Sequence, residues 1–315
     1  MVSSEETFCI PENGAYTEKT TSPAVEEQIV YAEGETFASE DVQPEENEFT
    51  DVPWYCYSQL IYHACGIVDG VAYTNSQEAM EATLSQGNRL IEVDFLFTED
   101  GHLICGHKWK DIIPVEEEED TNKKKKKPKV EIPEIKCDLD TFLTLKIKEK
   151  YTGLTGRNVI EYMEKYPDLY VVLDTKEEDS KLVVSELLRL CDYRPDIADR
   201  FVIQLFDSGL KEKMLELYPF PDDNFLFTCY KFDPLRVPEI LEICRNEQID
   251  VVTVPYGRWE QETIDLFLAE GIILFEHTVN LTEEMVLSLQ KGIYGFYTDS
   301  VQQWELQAIS AGYDI

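Results

Sequence analysis

Positively charged residues are scarce in this chain. It carries 28 Lys and Arg against 63 Asp and Glu, a formal net charge of −35. A surface that acidic repels nucleic-acid phosphate and anionic lipid headgroups at long range, so nucleic acid is not an expected partner. An anionic substrate would need a local positive site: a metal ion, a lysine or a protonated histidine. Histidine is rare too, with four in 315 residues. No stretch approaches the roughly 20 apolar residues of a membrane span. The opening MVSSEETFCI has neither the basic nor the apolar region of a secretory leader, so a cytoplasmic protein is expected. None of the eight cysteines forms a CxxC pair, which argues against a zinc ribbon. Several lie in apolar runs, as in FLFTCY, and read as free thiols in a reducing compartment. No glycine-rich phosphate loop follows any apolar run, which speaks against a dinucleotide-binding open sheet.

What is present is a repeated unit. Residues 1–51 carry fourteen acidic side chains and one lysine, Lys19, without apolar period. They read as an acidic tail or arm, with YAEGETFA (31–38) as an alternative short cap on the domain that follows. From residue 52 to 315 the texture changes. Eight β-rich apolar runs occur, SQLIYHA (58–64), LIEVDFLFT (90–98), LYVVLDTK (169–176), RFVIQLF (200–206), NFLFTCY (224–230), IDVVTVPY (249–256), GIILFEHTV (271–279) and GIYGFYTD (292–299). An amphipathic helical pattern follows each run, and Gly87, Gly271 and Gly292 stand where left-handed helix stops are wanted. Eight strand–helix units with near-continuous apolar strands predict a (β/α)8 barrel, with an open doubly wound sheet as the alternative.

One connection breaks the rhythm. Residues 108–150 are too long for an ordinary link. They hold EEEED (116–120) and KKKKKPK (123–129), opposite charge blocks that read as a solvated loop, and then CDLDTFLTLKIKEKYTGLT, which suits a small subdomain over the barrel mouth.

The chemistry lies at the strand ends. Side chains at i and i+2 of a strand share a face. Glu92 and Asp94 therefore point together, with Ile91, Val93 and Phe95 on the opposite face. Asp174 and Lys176 repeat that spacing one barrel strand later. Like-charged carboxylates in a barrel mouth call for a cation between them, and hard divalent ions prefer oxygen ligands. His63 closes the first run. His107 closes HLICGH, which follows the turn EDG (99–101) and is expected to pair back on the second strand as a hairpin. Taken singly, a histidine is more often structural. Two of them beside carboxylates suit acid–base cleavage of a phosphodiester. His102 reads as a turn-flanking surface residue, while Tyr256, Trp109 and Trp259 are candidates to line the pocket.

These residues fall in an order that resembles the glycerophosphodiester phosphodiesterase family, within the phosphatidylinositol phospholipase C-like superfamily of barrels. The resemblance runs through His63-Ala-Cys-Gly, Tyr73-Thr-Asn-Ser, Ile91-Glu-Val-Asp, Thr98-Glu-Asp-Gly-His-Leu and His107, then LDTK, HTVN (277–280) and GFYTD (295–299), across residues 58–300. It implies that Glu92, Asp94 and Asp174 hold one Mg2+ or Ca2+. It implies that His63 and His107 act as general base and general acid, and that Lys176 holds a phosphate oxygen. In the family the substrate's glycerol hydroxyl attacks phosphorus, and water opens the cyclic phosphate. The implied partner is a small polar phosphodiester.

Several positions depart from the family pattern. Its arginine after the first histidine is Ala64 here, its Glu-Asn-Thr is Thr74-Asn75-Ser76, the aspartate after its second histidine is Lys108, and its tryptophan near the seventh strand is His277. Thr74-Asn75-Ser76 is expected to keep a helix-capping role. Asp174 in place of the commoner glutamate, with Lys176, also resembles the spider-venom-type phospholipase D branch. Two alternatives therefore stand beside a hydrolase of glycerophosphodiesters: a phospholipase D-like headgroup hydrolase and a silent barrel that only binds.

Overall fold

The computed structural model describes residues 52–113, 135–177, 179–229 and 234–311. The acidic arm and the EEEED and KKKKKPK blocks lie outside the described residues.

In chain order the strands are β1 (Leu60–Tyr62), β2 (Leu90–Phe97), β3 (Leu103–Cys105), β4 (Lys146–Ile147), β5 (Tyr151–Thr152), β6 (Tyr170–Thr175), β7 (Phe201–Leu205), β8 (Phe225–Thr228), β9 (Val251–Pro255), β10 (Ile273–His277) and β11 (Gly295–Thr298). Eight of them, β1, β2 and β6–β11, pair in parallel around a closed ring. Closure is made by β1, which pairs with β11 at Ile61–Tyr297 and with β2 at Tyr62–Ile91. The open sheet is thereby excluded and the (β/α)8 barrel is the fold. The β3 strand turns back antiparallel on β2, Phe95 opposite Cys105, as the EDG turn predicts.

The helices are α1 (Gln77–Ser85), α2 (Trp109–Ile112), α3 (Leu139–Thr144), α4 (Gly156–Lys165), α5 (Ser180–Leu190), α6 (Pro195–Ala198), α7 (Leu210–Leu215), α8 (Val237–Glu247), α9 (Gln261–Leu268), α10 (Thr282–Leu289) and α11 (Gln303–Ser310). Their starts are capped where the sequence allows it. The Ser76 hydroxyl accepts from Ala79 N, and Thr155 forms a reciprocal capping box with Asn158. Gly87, Gly271 and Gly292 all take positive φ (85°, 77° and 96°), the left-handed stop expected of them.

Strand periodicity divides the barrel into two cores. Ile91, Val93 and Phe95 face outward and pack with Ala79, Met80 and Leu84 of α1 in the larger cluster. Ile61, Leu90, Val172, Val202, Leu226, Val251 and Phe275 fill the lower interior, where Trp54 is packed against them. The Trp54 ring is tilted against Phe275 with centroids 5.7 Å apart, and its indole N–H donates to the carbonyl of Asp223 at 2.7 Å. Above that apolar floor a set of inward polar groups follows, Glu92, Asp94, Asp174, Gln204, Thr228 and Thr253, all buried. The same alternation that builds the floor therefore aims these groups at the C-terminal mouth.

The described part of the inserted segment has a small core of its own. Trp109, Ile112, Phe142, Ile147 and Tyr151 pack on Leu96 and Ile104. It braces the loop after β1, since Lys148 Nζ donates to the carbonyl of Ala72 at 2.7 Å and the Tyr151 hydroxyl to that of Val68 at 3.2 Å. Trp109 and Trp259 do not line the mouth. Trp109 is fully buried in this small core, and Trp259 packs against Phe267 under α9. Burying a large ring outranks exposing it at a pocket rim. Tyr256 is not among the cavity-lining residues either.

No disulfide joins any two of the seven cysteines among the described residues, and five of them are buried. No helix among the described residues is long and apolar enough to cross a membrane.

Candidate active site

Glu92, Asp94 and Asp174 converge at the mouth, each offering an oxygen within 4.8 Å of the others. Parallel pairing sets the register: Asp94 stands opposite Asp174 across β2 and β6. All three side chains are nearly inaccessible to solvent. Lys176 Nζ bridges two of them, 2.8 Å from Asp94 Oδ1 and 2.5 Å from Asp174 Oδ2. Burial works against the Lys176 charge, but Asp174, Asp94 and Glu92 more than offset it, and its pKa is raised.

One ammonium does not balance three carboxylates. Burial, and after it the neighbouring Asp94, push the Glu92 carboxyl up to about 8. Glu92 Oε2 accepts a 2.6 Å hydrogen bond from the backbone N–H of Ala64, while Oε1 is buried with no hydrogen-bond partner among the described residues. An orphaned carboxylate oxygen beside two further carboxylates is a set of hard oxygen donors, and it fits a divalent cation. This buried acidic triad can hold a metal ion.

His63 lies in a tight turn directly after β1. Ala64, Cys65 and Gly66 all take positive φ (47°, 70° and 83°), which turns the Ala64 N–H back toward Glu92. Gly66 is required there, because a side chain would strike the Thr83 hydroxyl that donates to the Cys65 carbonyl. His63 Nδ1 is 2.9 Å from Asp299 Oδ1. Burial pulls the His63 pKa down, but the Asp299 hydrogen bond and the charges of Glu92, Asp299 and Asp94 carry it above its ordinary value. Asp299 is held in turn by Asn280, whose Nδ2 donates to Oδ2 at 2.7 Å and whose Oδ1 accepts from the Asp299 N–H at 2.7 Å.

His107 follows β3 and borders the same cavity. Its Nδ1 stands 3.8 Å from Asp111 Oδ2. Burial outweighs the attraction of Asp94, and its pKa is lowered. The cavity between the two imidazoles has a volume of about 250 Å³ and is lined by His63, Tyr73, Glu92, His107, Asp174, Lys176, Gln204, Thr253, His277, Thr278 and Tyr297. Burial, with the nearby His63 and Lys176 charges, lowers the His277 pKa to about 4, so this imidazole is neutral at physiological pH.

All six residues singled out from the sequence thus meet in one place. Four others were carried by the same motifs without a part in the chemistry. Asp299 closes GFYTD, and Asn280 closes HTVN. Asn75 does more than lead into a helix cap: its Nδ2 donates to Asp94 Oδ2 at 2.7 Å and its Oδ1 accepts from the Asp94 N–H at 3.1 Å. Tyr73 stands between the two histidines. Ala64, where the resemblance has an arginine, is fully buried and contributes its amide to the site.

No protein-family model matches the sequence, and no curated protein matches it. Solved structures do match. The structure of an Oleispira antarctica phosphodiesterase in complex with the product sn-glycerol-3-phosphate superposes with a TM-score of 0.60 at 14% identity, over 81% of this chain and 98% of that one. A glycerophosphodiester phosphodiesterase from Parabacteroides distasonis gives a TM-score of 0.57 at 16% identity, again over 81% of this chain and 98% of that one. At these identities the likeness establishes a shared barrel fold.

Proposed function

We propose that this protein is a metal-dependent phosphoric diester hydrolase that cleaves a small glycerophosphodiester to glycerol 3-phosphate and an alcohol. The observation that carries the reading is the convergence of three buried carboxylates, one with an orphaned oxygen, between two imidazoles at a barrel mouth. The fold shared with glycerophosphodiester phosphodiesterases supports it, as does the glycerol 3-phosphate held by the Oleispira protein.

Glu92, Asp94 and Asp174 would hold the ion, Mg2+ or Ca2+ by the all-oxygen donor set. When bound, such an ion neutralises charge that grows on the non-bridging phosphate oxygens. The remaining work belongs to the chain. Asp299 engages Nδ1 of His63, which fixes the tautomer with Nε2 as the acceptor and stabilises the imidazolium as it forms. His63 takes the proton of the attacking glycerol hydroxyl. His107 gives a proton to the departing alcohol. The bond from phosphorus to that alcohol breaks, leaving a cyclic phosphate. A water then opens the ring with the two histidines in exchanged roles, which restores both protonation states. Lys176 contributes a fixed positive charge to a phosphate oxygen.

The cavity of about 250 Å³ suits a small polar substrate. A barrel that binds a phosphodiester without cleaving it is the second reading, favoured by Ala64 in place of an arginine. A hydrolysis screen with and without Mg2+ and Ca2+, over glycerophosphocholine, glycerophosphoinositol and bis(p-nitrophenyl) phosphate, separates the two. Metal-dependent turnover that disappears in His63→Ala with little change in stability is the expected result. Ion-induced stabilisation without hydrolysis of any member would favour the second reading.

A further inference from the structure

We propose that Tyr73 is a positioning residue, its ring a wedge that sets the separation and orientation of the His63 and His107 imidazoles. The inference rests on the reading of these two histidines as the acid–base pair. The Tyr73 ring meets His63 with centroids 4.2 Å apart and planes at 84°, and meets His107 at 5.5 Å and 83°. One ring thus makes edge-to-face contacts with both imidazoles, a geometry with a definite orientational preference. His107 depends on it more. Among the described residues no hydrogen bond fixes its ring, since Asp111 stands 3.8 Å away. His63 has its Asp299 bond on one side and Tyr73 on another.

Core burial does not explain where Tyr73 sits, because the residue is 43% exposed. Its place is set by the backbone on both sides. Lys148 Nζ holds the carbonyl of Ala72, the residue before it. Two residues after it, the Asn75 side chain is bonded twice to Asp94, and Ser76 caps α1. Tyr73 and Asn75 both take positive φ, 61° and 45°. The loop is therefore tied to the carboxylate strand at one end and to the β4–β5 hairpin at the other, with the phenol ring presented between the histidines. Small displacements of an acid–base pair cost rate steeply. A ring that spaces the pair should act on turnover more than on substrate affinity.

The test compares Tyr73→Ala and Tyr73→Phe in the full chain, with the phosphodiester that the wild type turns over fastest. Tyr73→Ala is expected to lower kcat by about tenfold or more, since misplacement of an ångström can cost about a hundredfold, with KM changed by less than about threefold. Tyr73→Phe keeps the ring and is expected to restore most of the lost rate. A second readout needs no activity. The chain has four histidines, so a histidine-labelled NMR spectrum is simple to assign. The His63 and His107 ring signals should both move in Tyr73→Ala and stay near their wild-type positions in Tyr73→Phe, with His102 unmoved. A kcat in Tyr73→Ala within twofold of wild type overturns the inference, as does a Tyr73→Phe variant as slow as Tyr73→Ala, or histidine signals that do not respond. A wild type that hydrolyses nothing while both signals respond upholds the wedge and defeats the proposed function instead.

Discussion

His63 Nδ1 and Asp299 Oδ1 lie 2.9 Å apart although 236 residues separate them in the chain. The first and last barrel strands deliver them to one another, because β1 and β11 pair in register and each ends one residue short of the group it presents. A carboxylate on Nδ1 leaves Nε2 as the exchangeable face of the imidazole and stabilises its charged form.

Asp299→Asn is nearly isosteric but cannot stabilise an imidazolium. It should lower kcat about a hundredfold, within the range found for groups that orient or assist a general base, and leave the melting temperature close to wild type. Steady-state kinetics beside a thermal melt checks both. A kcat within twofold of wild type would remove Asp299 from the proposed chemistry.

The ion response should depend on pH with a definite sign. Burial and Asp94 raise the folded-state Glu92 carboxyl to about 8. A raised folded pKa favours the fold at low pH, and this contribution is lost as pH rises from the unfolded carboxyl value through about 8. A divalent ion must displace that proton to bind, so the stabilisation it gives should grow across the same window. At about 100 times the dissociation constant the gain is about 2.7 kcal/mol, or roughly 5–10 °C for a domain of this size. Melting curves with Mg2+ or Ca2+ at successive pH values measure it, and Glu92→Gln should abolish most of it. A response that is flat with pH would contradict the assignment of Glu92 as a ligand.

Lys176→Met keeps the stem and removes the charge that bridges Asp94 and Asp174. Breaking a buried pair leaves uncompensated carboxylates, and the ion-free protein should lose about 3 kcal/mol. The variant should also gain more stability from added Mg2+ or Ca2+ than the wild type, because the ion meets more uncompensated charge. Denaturant titrations with chelator and with ion give both numbers. Equal ion responses in the two proteins would show that Lys176 and the ion do not share the carboxylates.

His107→Ala should discriminate between leaving groups. Loss of the proton donor should cost about a thousandfold with an alkoxide leaving group, and under about tenfold with p-nitrophenolate, which departs without a proton. Parallel assays on glycerophosphocholine and on glycerol p-nitrophenyl phosphate, which share the attacking glycerol hydroxyl and differ in the leaving group, read the difference. Equal losses on both substrates would assign His107 to positioning or binding.

The sequence by itself determined the barrel and most of the mouth. Eight apolar runs of strand length mark the eight strands, and the i, i+2 spacing of Glu92 with Asp94 and of Asp174 with Lys176 dictates that they share a face, because strand side chains alternate. Those periodicities are local, so they can be read along the chain. Tertiary structure alone decided which residues meet across it. Asp299 reaches His63 only because β11 closes the ring against β1. Asn75 reaches Asp94 through a loop whose left-handed turns no period announces. Of the candidates for the pocket by residue type, Trp109 went to the small core of the inserted segment and Trp259 to the main core, against Phe267. A side chain's direction along a strand is set by backbone geometry, whereas its partners are set by closure and packing between segments far apart in sequence.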